Sequence, residues 1–319
     1  MLKRIRRALV RKLFGNNFLL QRLLLQEFKK GKVVKASLLA LYFLPLRKAL
    51  KLDNPLVEQS FITSLDYYNA IQEFLHISRV EGFDLTRIGS KGNAGYVMLD
   101  DFNGEKIAYS FGIGDDVVWD KDMASRGYDV FMYDHTIDGL PEQNPRFHWS
   151  KLGIADGIAQ DERLRTLDEL LTQNHHENKH NMILKMDVEG AEWGFLRQTS
   201  SETLSRFSQV IFEFHAVNDL KDYELILEGL KKLNQTHKLV HLHANNWGYH
   251  LEIGGKNFPT TYEVSYVLKD KYNVVDDYDP DLPLDLDSQG SIYIPDCKLG
   301  HWNRRTEIDD RFTIYIRKM

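Results

Sequence analysis

Short apolar runs alternate with helical patterns from residue 107 onward, and nearly every run ends in polar residues. Ile107-Ala-Tyr-Ser-Phe leads into Gly112-Ile-Gly-Asp-Asp116, and the spacing behind it predicts a helix over 117–126. Val130-Phe-Met-Tyr ends in Asp134, and 147–154 reads as a third strand. A helix is expected over 162–172. Met182-Ile-Leu-Lys-Met ends in Asp187, with 188–196 turning into a helix. Val210-Ile-Phe ends in Glu213-Phe-His215, and 220–233 has helical spacing. Lys238-Leu-Val-His-Leu-His243 and 262–268 supply a sixth and a seventh strand. Strands alternating with helices imply an α/β fold whose sheet is mostly parallel, with right-handed crossovers. Only a loop, 245–261, is expected between the last two strands, which permits an antiparallel pair.

Upstream, 57–77 carries an apolar face at helical spacing, and a glycine-rich block, 87–98, ends in a β-like run. Residues 1–51 also read as helices, with Leu2, Ile5, Leu9 and Leu13 spaced by lysines and arginines. Beyond 276 an acid- and proline-rich stretch breaks the pattern, and 292–294 and 312–316 read as strands or docking segments. The pattern divides the chain into a basic arm (1–52), a catalytic-sized α/β domain (53–272) and a C-terminal extension (273–319).

Charge changes this picture at one place. The net charge of −5 hides an arm, 1–51, with 14 lysines and arginines against one acid, a charge of +13. The remaining 27 basic and 45 acidic residues carry −18. A basic amphipathic arm on an acidic body fits an anionic membrane surface, the body itself, or a second subunit in a homo-oligomer. Nucleic acid is not expected, because the acidic body repels phosphate. No apolar stretch reaches the roughly 18 residues of a spanning helix. The single cysteine, Cys297, excludes an internal disulfide framework and a thiolate zinc cluster. A cytoplasmic protein, peripheral at a membrane through its arm, fits these features.

The chemistry concentrates at the strand ends. Gly112 and Gly114 allow close backbone approach to a ligand, and an acid about twenty residues on, Asp134, could accept from a ribose diol. Asp187, Glu213, His215 and His243 end three other strands. Each has a structural alternative: a first-turn acid favoured by the helix dipole, or a satisfied core histidine. Together, at one sheet edge, they could hold a divalent cation such as Mg or Mn, or transfer a proton.

Five blocks carry a resemblance. Tyr-Ser-Phe-Gly-Ile-Gly-Asp-Asp (109–116), Tyr-Asp-His-Thr (133–136), Leu-Lys-Met-Asp-Val-Glu-Gly-Ala-Glu-Trp (184–193), Phe-Glu-Phe-His (212–215) and His-Ala-Asn-Asn (243–246) resemble the FkbM-type, methyltransferase-like enzymes dependent on S-adenosylmethionine. So does 87–98. The resemblance covers roughly 85–270, and its most specific block is the one around Asp187. It implies a class I methyltransferase (Rossmann-like) fold: seven strands, the last antiparallel, with helices on both faces. It also implies that Gly112 and Gly114 line the methionine part of the cofactor and that Asp134 binds its ribose. Asp115, His135 and Arg87, in the same blocks, complete the cofactor-binding candidates. Asp187 would face the acceptor or a metal, with Glu213, His215 and His243 as its catalytic companions. Asp115 and Asp116 stand where many relatives of the wider class carry a third glycine.

The expected function is an O-methyltransferase acting on a hydroxyl of a sugar or glycan, the acceptor resting on the resemblance alone. Two rivals remain at this level. One is an NAD(P)-dependent or nucleotide-sugar-modifying Rossmann enzyme, which leaves the Asp187 block without a role. The other is a catalytically inactive, membrane-associated scaffold.

Overall fold

The parallel strands are built from residues that must be buried on both sides, and their sequences show it. All five residues of Met182–Met186 and all eight of Phe207–Phe214 are buried. The computed structural model describes residues 67–304 apart from 93, 160, 219–221, 248, 254–255 and 292, together with a strand at Ile314–Lys318. The basic arm expected at 1–51 lies outside the described residues.

Seven strands form the main sheet: β1 (Ile107–Phe111), β2 (Asp129–Tyr133), β3 (Phe147–Ser150), β4 (Met182–Met186), β5 (Phe207–Phe214), β6 (His237–Ala244) and β7 (Tyr262–Leu268). Their order is β3-β2-β1-β4-β5-β7-β6. Strands β1 to β5 pair in parallel. Strand β7 slots antiparallel between β5 and β6. The expected antiparallel pairing of the last two strands is therefore present. The carboxyl ends of β1 to β6 lie along one edge, and the chain order reverses between β1 and β4. A crevice at such a reversal is where open α/β sheets bind ligands.

Alternation along the strands sorts two packed layers. Ala108, Val130, Met132 and Ile183 face α1 (Val118–Ser125), whose Trp119 and Met123 are buried against them. Tyr109, Phe111, Leu184 and Phe212 face the other way. That side is covered by α2 (Leu167–Gln173), α3 (Glu192–Gln198), α4 (Tyr223–Thr236) and a helix over 67–74. The sheet is thus mixed, with helices on both faces. An antiparallel hairpin, Leu85–Ile88 with Tyr96–Leu99, packs beside α1 and contributes Ile88, Tyr96 and Met98 to the same layer.

Three expectations needed correction. The third strand stops at Ser150, and Gly153–Ile154 pairs instead with Leu164–Arg165. The helix expected from 162 begins at Leu167, because Thr166 caps it in a reciprocal pair with Glu169. The loop expected over 245–261 contains an antiparallel hairpin, Tyr249–Ile253 with Lys256–Pro259. Alternation in Tyr-His-Leu-Glu-Ile and the Gly254-Gly255 pair were its sequence signal.

The acid- and proline-rich stretch packs onto the sheet. Val274–Val275 pairs with Arg79–Val80. Leu282, Cys297, Leu299 and Trp302 are buried in the larger core. Trp302 Nε1 donates to the Leu75 carbonyl at 3.0 Å, which ties this segment to the helix over 67–74.

Candidate functional site

A cleft of about 400 Å³ opens at the reversal between β1 and β4. Its floor is the glycine turn after β1. Gly112 has φ +74°, and a Cβ there would lie 1.6 Å from the Asp187 carbonyl oxygen, so only glycine fits. The tight approach is held by the Asp187 N–H donating to Phe111 O at 3.0 Å. Gly114 has φ +58°, with no atom within 4 Å of where its Cβ would point. Gly112 walls the turn against β4, whereas Gly114 faces the cleft.

Asp134, at the end of β2, is the strut of this turn. Its Oδ2 accepts from the N–H groups of Ile113 (2.9 Å) and Gly114 (3.0 Å). Its Oδ1 accepts from the N–H and hydroxyl of Thr136 (2.8 and 2.6 Å). Burial alone would raise its pKa, but these donors outweigh it and hold the carboxyl below the usual range. Four donors fill the roughly four lone-pair sites of a carboxylate. A ribose hydroxyl could join only by displacing one, and the Thr136 hydroxyl is the one that a side-chain rotation frees.

The opposite wall carries acids in a different state. One ligand atom each from Asp187, Glu213 and His215 lie within 4.8 Å of one another. His215 Nε2 is 3.9 Å from Asp187, 3.6 Å from Glu213 and 3.6 Å from Glu189. Its Nδ1 is 3.1 Å from the carboxylate of Glu192, a fully buried residue that also accepts from the Val188 N–H at 3.0 Å. Glu192 therefore favours the tautomer with the proton on Nδ1, turning the Nε2 lone pair toward Asp187 and Glu213. A carboxylate behind a ligating or proton-accepting imidazole works in this way. Desolvation depresses the His215 pKa, and the surrounding carboxylates, Glu192 first, more than reverse it. Burial raises the Glu213 pKa well above the carboxylate range, reinforced by Asp187 and Glu263 and opposed by Lys185. Glu189 and Ala216, in the loops after these two strands, adopt left-handed φ values of +55°. Such backbone is stored at sites that the surrounding fold over-determines.

The sequence candidates divide accordingly. Asp187, Glu213 and His215 come together, and Gly112, Gly114, Asp115, Asp134 and His135 line the same cleft as Asp187. His243 lies behind them, outside the metal-spaced trio. Its ring sits between Glu263 (3.1 Å) and Asp296 (3.2 Å), and Asn245 bridges Glu263 to Glu213. Arg87 is not brought to the cleft. Its guanidinium donates to the carbonyls of Ser90, Gly92 and Gly95, which closes its own hairpin loop.

Sequence reasoning missed three residues. Tyr96 donates to Asp187 Oδ2 at 3.2 Å. Lys185 donates to Gly112 O at 2.7 Å and lies 5.6 Å from the centre of the Tyr96 ring. Glu192 orients His215. A signal for Lys185 was present: a lysine inside an otherwise apolar strand needs a buried partner.

The sequence model of one family, the methyltransferase FkbM domain, matches residues 101–251. The match spans β1 to β6 and every strand-end residue above. Among curated proteins the chain finds no match.

Proposed function

We propose that the protein transfers a methyl group from S-adenosylmethionine to a hydroxyl, with a sugar or glycan as the acceptor. The observation that carries the reading is that the cleft over the glycine turn is lined by Asp187, whose carboxylate lies within 4.8 Å of ligand atoms of Glu213 and His215. The strand order, with β7 antiparallel between β5 and β6, supports a class I methyltransferase arrangement. The cleft volume is that of a small-molecule site. When bound, S-adenosylmethionine supplies an electrophilic methyl group on a sulfonium and leaves as a neutral thioether.

The chain's own groups then have two tasks. The acid-rich wall favours a cationic occupant over a neutral one, which aids binding before transfer and release after it. An alcohol is a weak nucleophile, so a base must take its proton as the bond forms. His215 Nε2, oriented by Glu192, is the group placed to accept it. Asp187, held by the Tyr96 hydroxyl, positions the acceptor and stabilises the imidazolium that results. Holding the reactants in line supplies much of the remaining rate.

A divalent cation fits the same donors. Asp187, Glu213 and Glu263 converge with one lysine beside them, and two carboxylate oxygens with one imidazole nitrogen suit Mg or Mn. Such an ion would be held by Asp187, Glu213 and His215, and its chemistry would be to acidify a bound hydroxyl.

Calorimetric titration tests the reading. S-adenosylmethionine should bind and NAD should not, and the reverse result would overturn it in favour of a dehydrogenase. Turnover lost with EDTA and restored by Mn would establish the ion; turnover indifferent to EDTA would leave His215 as the base alone.

A further inference from the structure

Across β5, β7 and β6 the strand register sets Glu213, Glu263 and His243 in one row, with Glu263 directly opposite each of the other two. Two acids opposite each other in a sheet repel, and burial makes the pair costlier. Glu263 is 2 % exposed and Glu213 6 %, so the row persists only where neighbours offset it.

Two groups do so. On the β6 side, His243 Nδ1 lies 3.1 Å from Glu263 Oε2, and both oxygens of Asp296 lie 3.2 Å from His243 Nε2. At the end of β6, the fully buried Asn245 spans the two acids. Its Nδ2 carries two N–H groups, and it donates to Glu213 Oε1 at 3.0 Å and to Glu263 Oε1 at 3.3 Å. The amide is fixed in this sense, because its Oδ1 accepts from the Trp247 N–H at 2.9 Å. Turned over, it would set an oxygen against two carboxylates. Glu263 therefore has both oxygens engaged within the row. Glu213 is the member that reaches the cluster, and the oxygen that Asn245 holds is the one 3.6 Å from His215 Nε2.

Resting on the reading above, in which Glu213 serves that cluster, we propose that Asn245 is the positioning residue for Glu213. The C-terminal segment holds Asn245 to this task through Asp296, His243 and Glu263. Without the bridging amide, the Glu213 carboxyl has Asp187 on one side and Glu263 on the other and nothing to fix it between them. An outer partner that orients a ligating or reacting group acts in this way.

Two variants test it. Asn245→Leu keeps the volume and removes both donors, and Asn245→Asp removes the donors but keeps the acceptor for Trp247. Crystal structures of both should show the Glu213 carboxyl turned out of its place beside His215, with Asp134 and the glycine turn unmoved. Binding of Mn(II) alone, read from its electron paramagnetic resonance signal, should weaken about tenfold or more, the scale for loss of an outer partner. Calorimetry should leave S-adenosylhomocysteine within about twofold, since the glycine turn shares no partner with Asn245. Asp296→Ala should weaken Mn(II) less, and should add nothing in the Asn245→Leu background, because members of one hydrogen-bond network couple. A Glu213 carboxyl that keeps its place in both Asn245 variants overturns the proposal, as does Mn(II) binding that neither variant changes. Full additivity of Asp296→Ala and Asn245→Leu overturns the part given to the C-terminal segment. If the unmutated protein binds no S-adenosylhomocysteine, the methyl-transfer reading fails, and the crystal structures still decide what Asn245 does.

Discussion

At the β2 end of the cleft, Asp134 accepts four hydrogen bonds from its own chain, two from the glycine turn and two from Thr136. At the β4 and β5 ends, Asp187, Glu213 and Glu263 crowd together with Lys185 and two histidines, and burial pushes the Glu213 carboxyl upward. Both ends hold acids at the carboxyl edge of the same sheet, and the sequence gives no hint that they differ. Their surroundings differ completely. An acid with all its lone pairs met stabilises the local fold, whereas acids that repel one another cost stability and persist where function needs them.

The sharpest way to break this comparison is to neutralise one acid at each end. Glu213→Gln replaces a crowded acid by a neutral isostere and removes its repulsion with Asp187 and Glu263. It should hold or raise the melting temperature while turnover falls roughly a hundredfold or more, the scale of general-base or positioning losses. Asp187→Asn should lose activity on the same scale. Full activity in both variants would show that the cluster is only a buried polar knot.

Asp134→Ala should do the opposite. It strips acceptors from three N–H groups and a hydroxyl, each worth about 1 kcal/mol or more when left unmet. A loss of roughly 3 kcal/mol lowers the melting temperature by about 6–12 °C in a domain of this size. An unchanged melting temperature with weakened S-adenosylmethionine binding would move Asp134 from the turn to the ligand.

The sheet was legible because apolar runs and helical spacing repeat strongly from 107 to 268. The seventh strand, Tyr262–Leu268, matches its expected bounds. The trio was legible because each member stands at the carboxyl end of an apolar run, Asp187 in the most specific block. What could not be read was which carboxylate each polar group would meet. Arg87 sits in a promising block, yet its guanidinium finds three carbonyls of its own loop, a contact set by how the hairpin closes. His243 ends a strand as His215 ends the next residues of another, but Asp296 arrives from 53 residues away to cover it. Tyr96 reaches Asp187 across 91 residues of chain. Periodicity reports which face a residue takes, not what the rest of the fold brings to it.

His243 supplies the smallest and most direct test of the comparison, since it decides whether the crowded wall is balanced from behind. Desolvation depresses its pKa, but the hydrogen bonds its ring donates to the Asp296 and Glu263 carboxylates outweigh that and raise it to about 10. The folded pKa therefore lies above the usual value near 6.5, and each unit of rise is worth about 1.4 kcal/mol. For a group raised on folding, the contribution is complete below pH 6.5 and is lost as pH climbs toward 10. The imidazole should stay doubly protonated through pH 8 by nitrogen NMR, and thermal stability should decline across that window. Asp296→Asn removes one of the two flanking carboxylates, so the NMR midpoint should drop by a unit or more and the decline should begin at lower pH. A midpoint near 6.5 in the unmutated protein, or one that Asp296→Asn does not move, would show that the C-terminal segment covers this histidine without setting its charge.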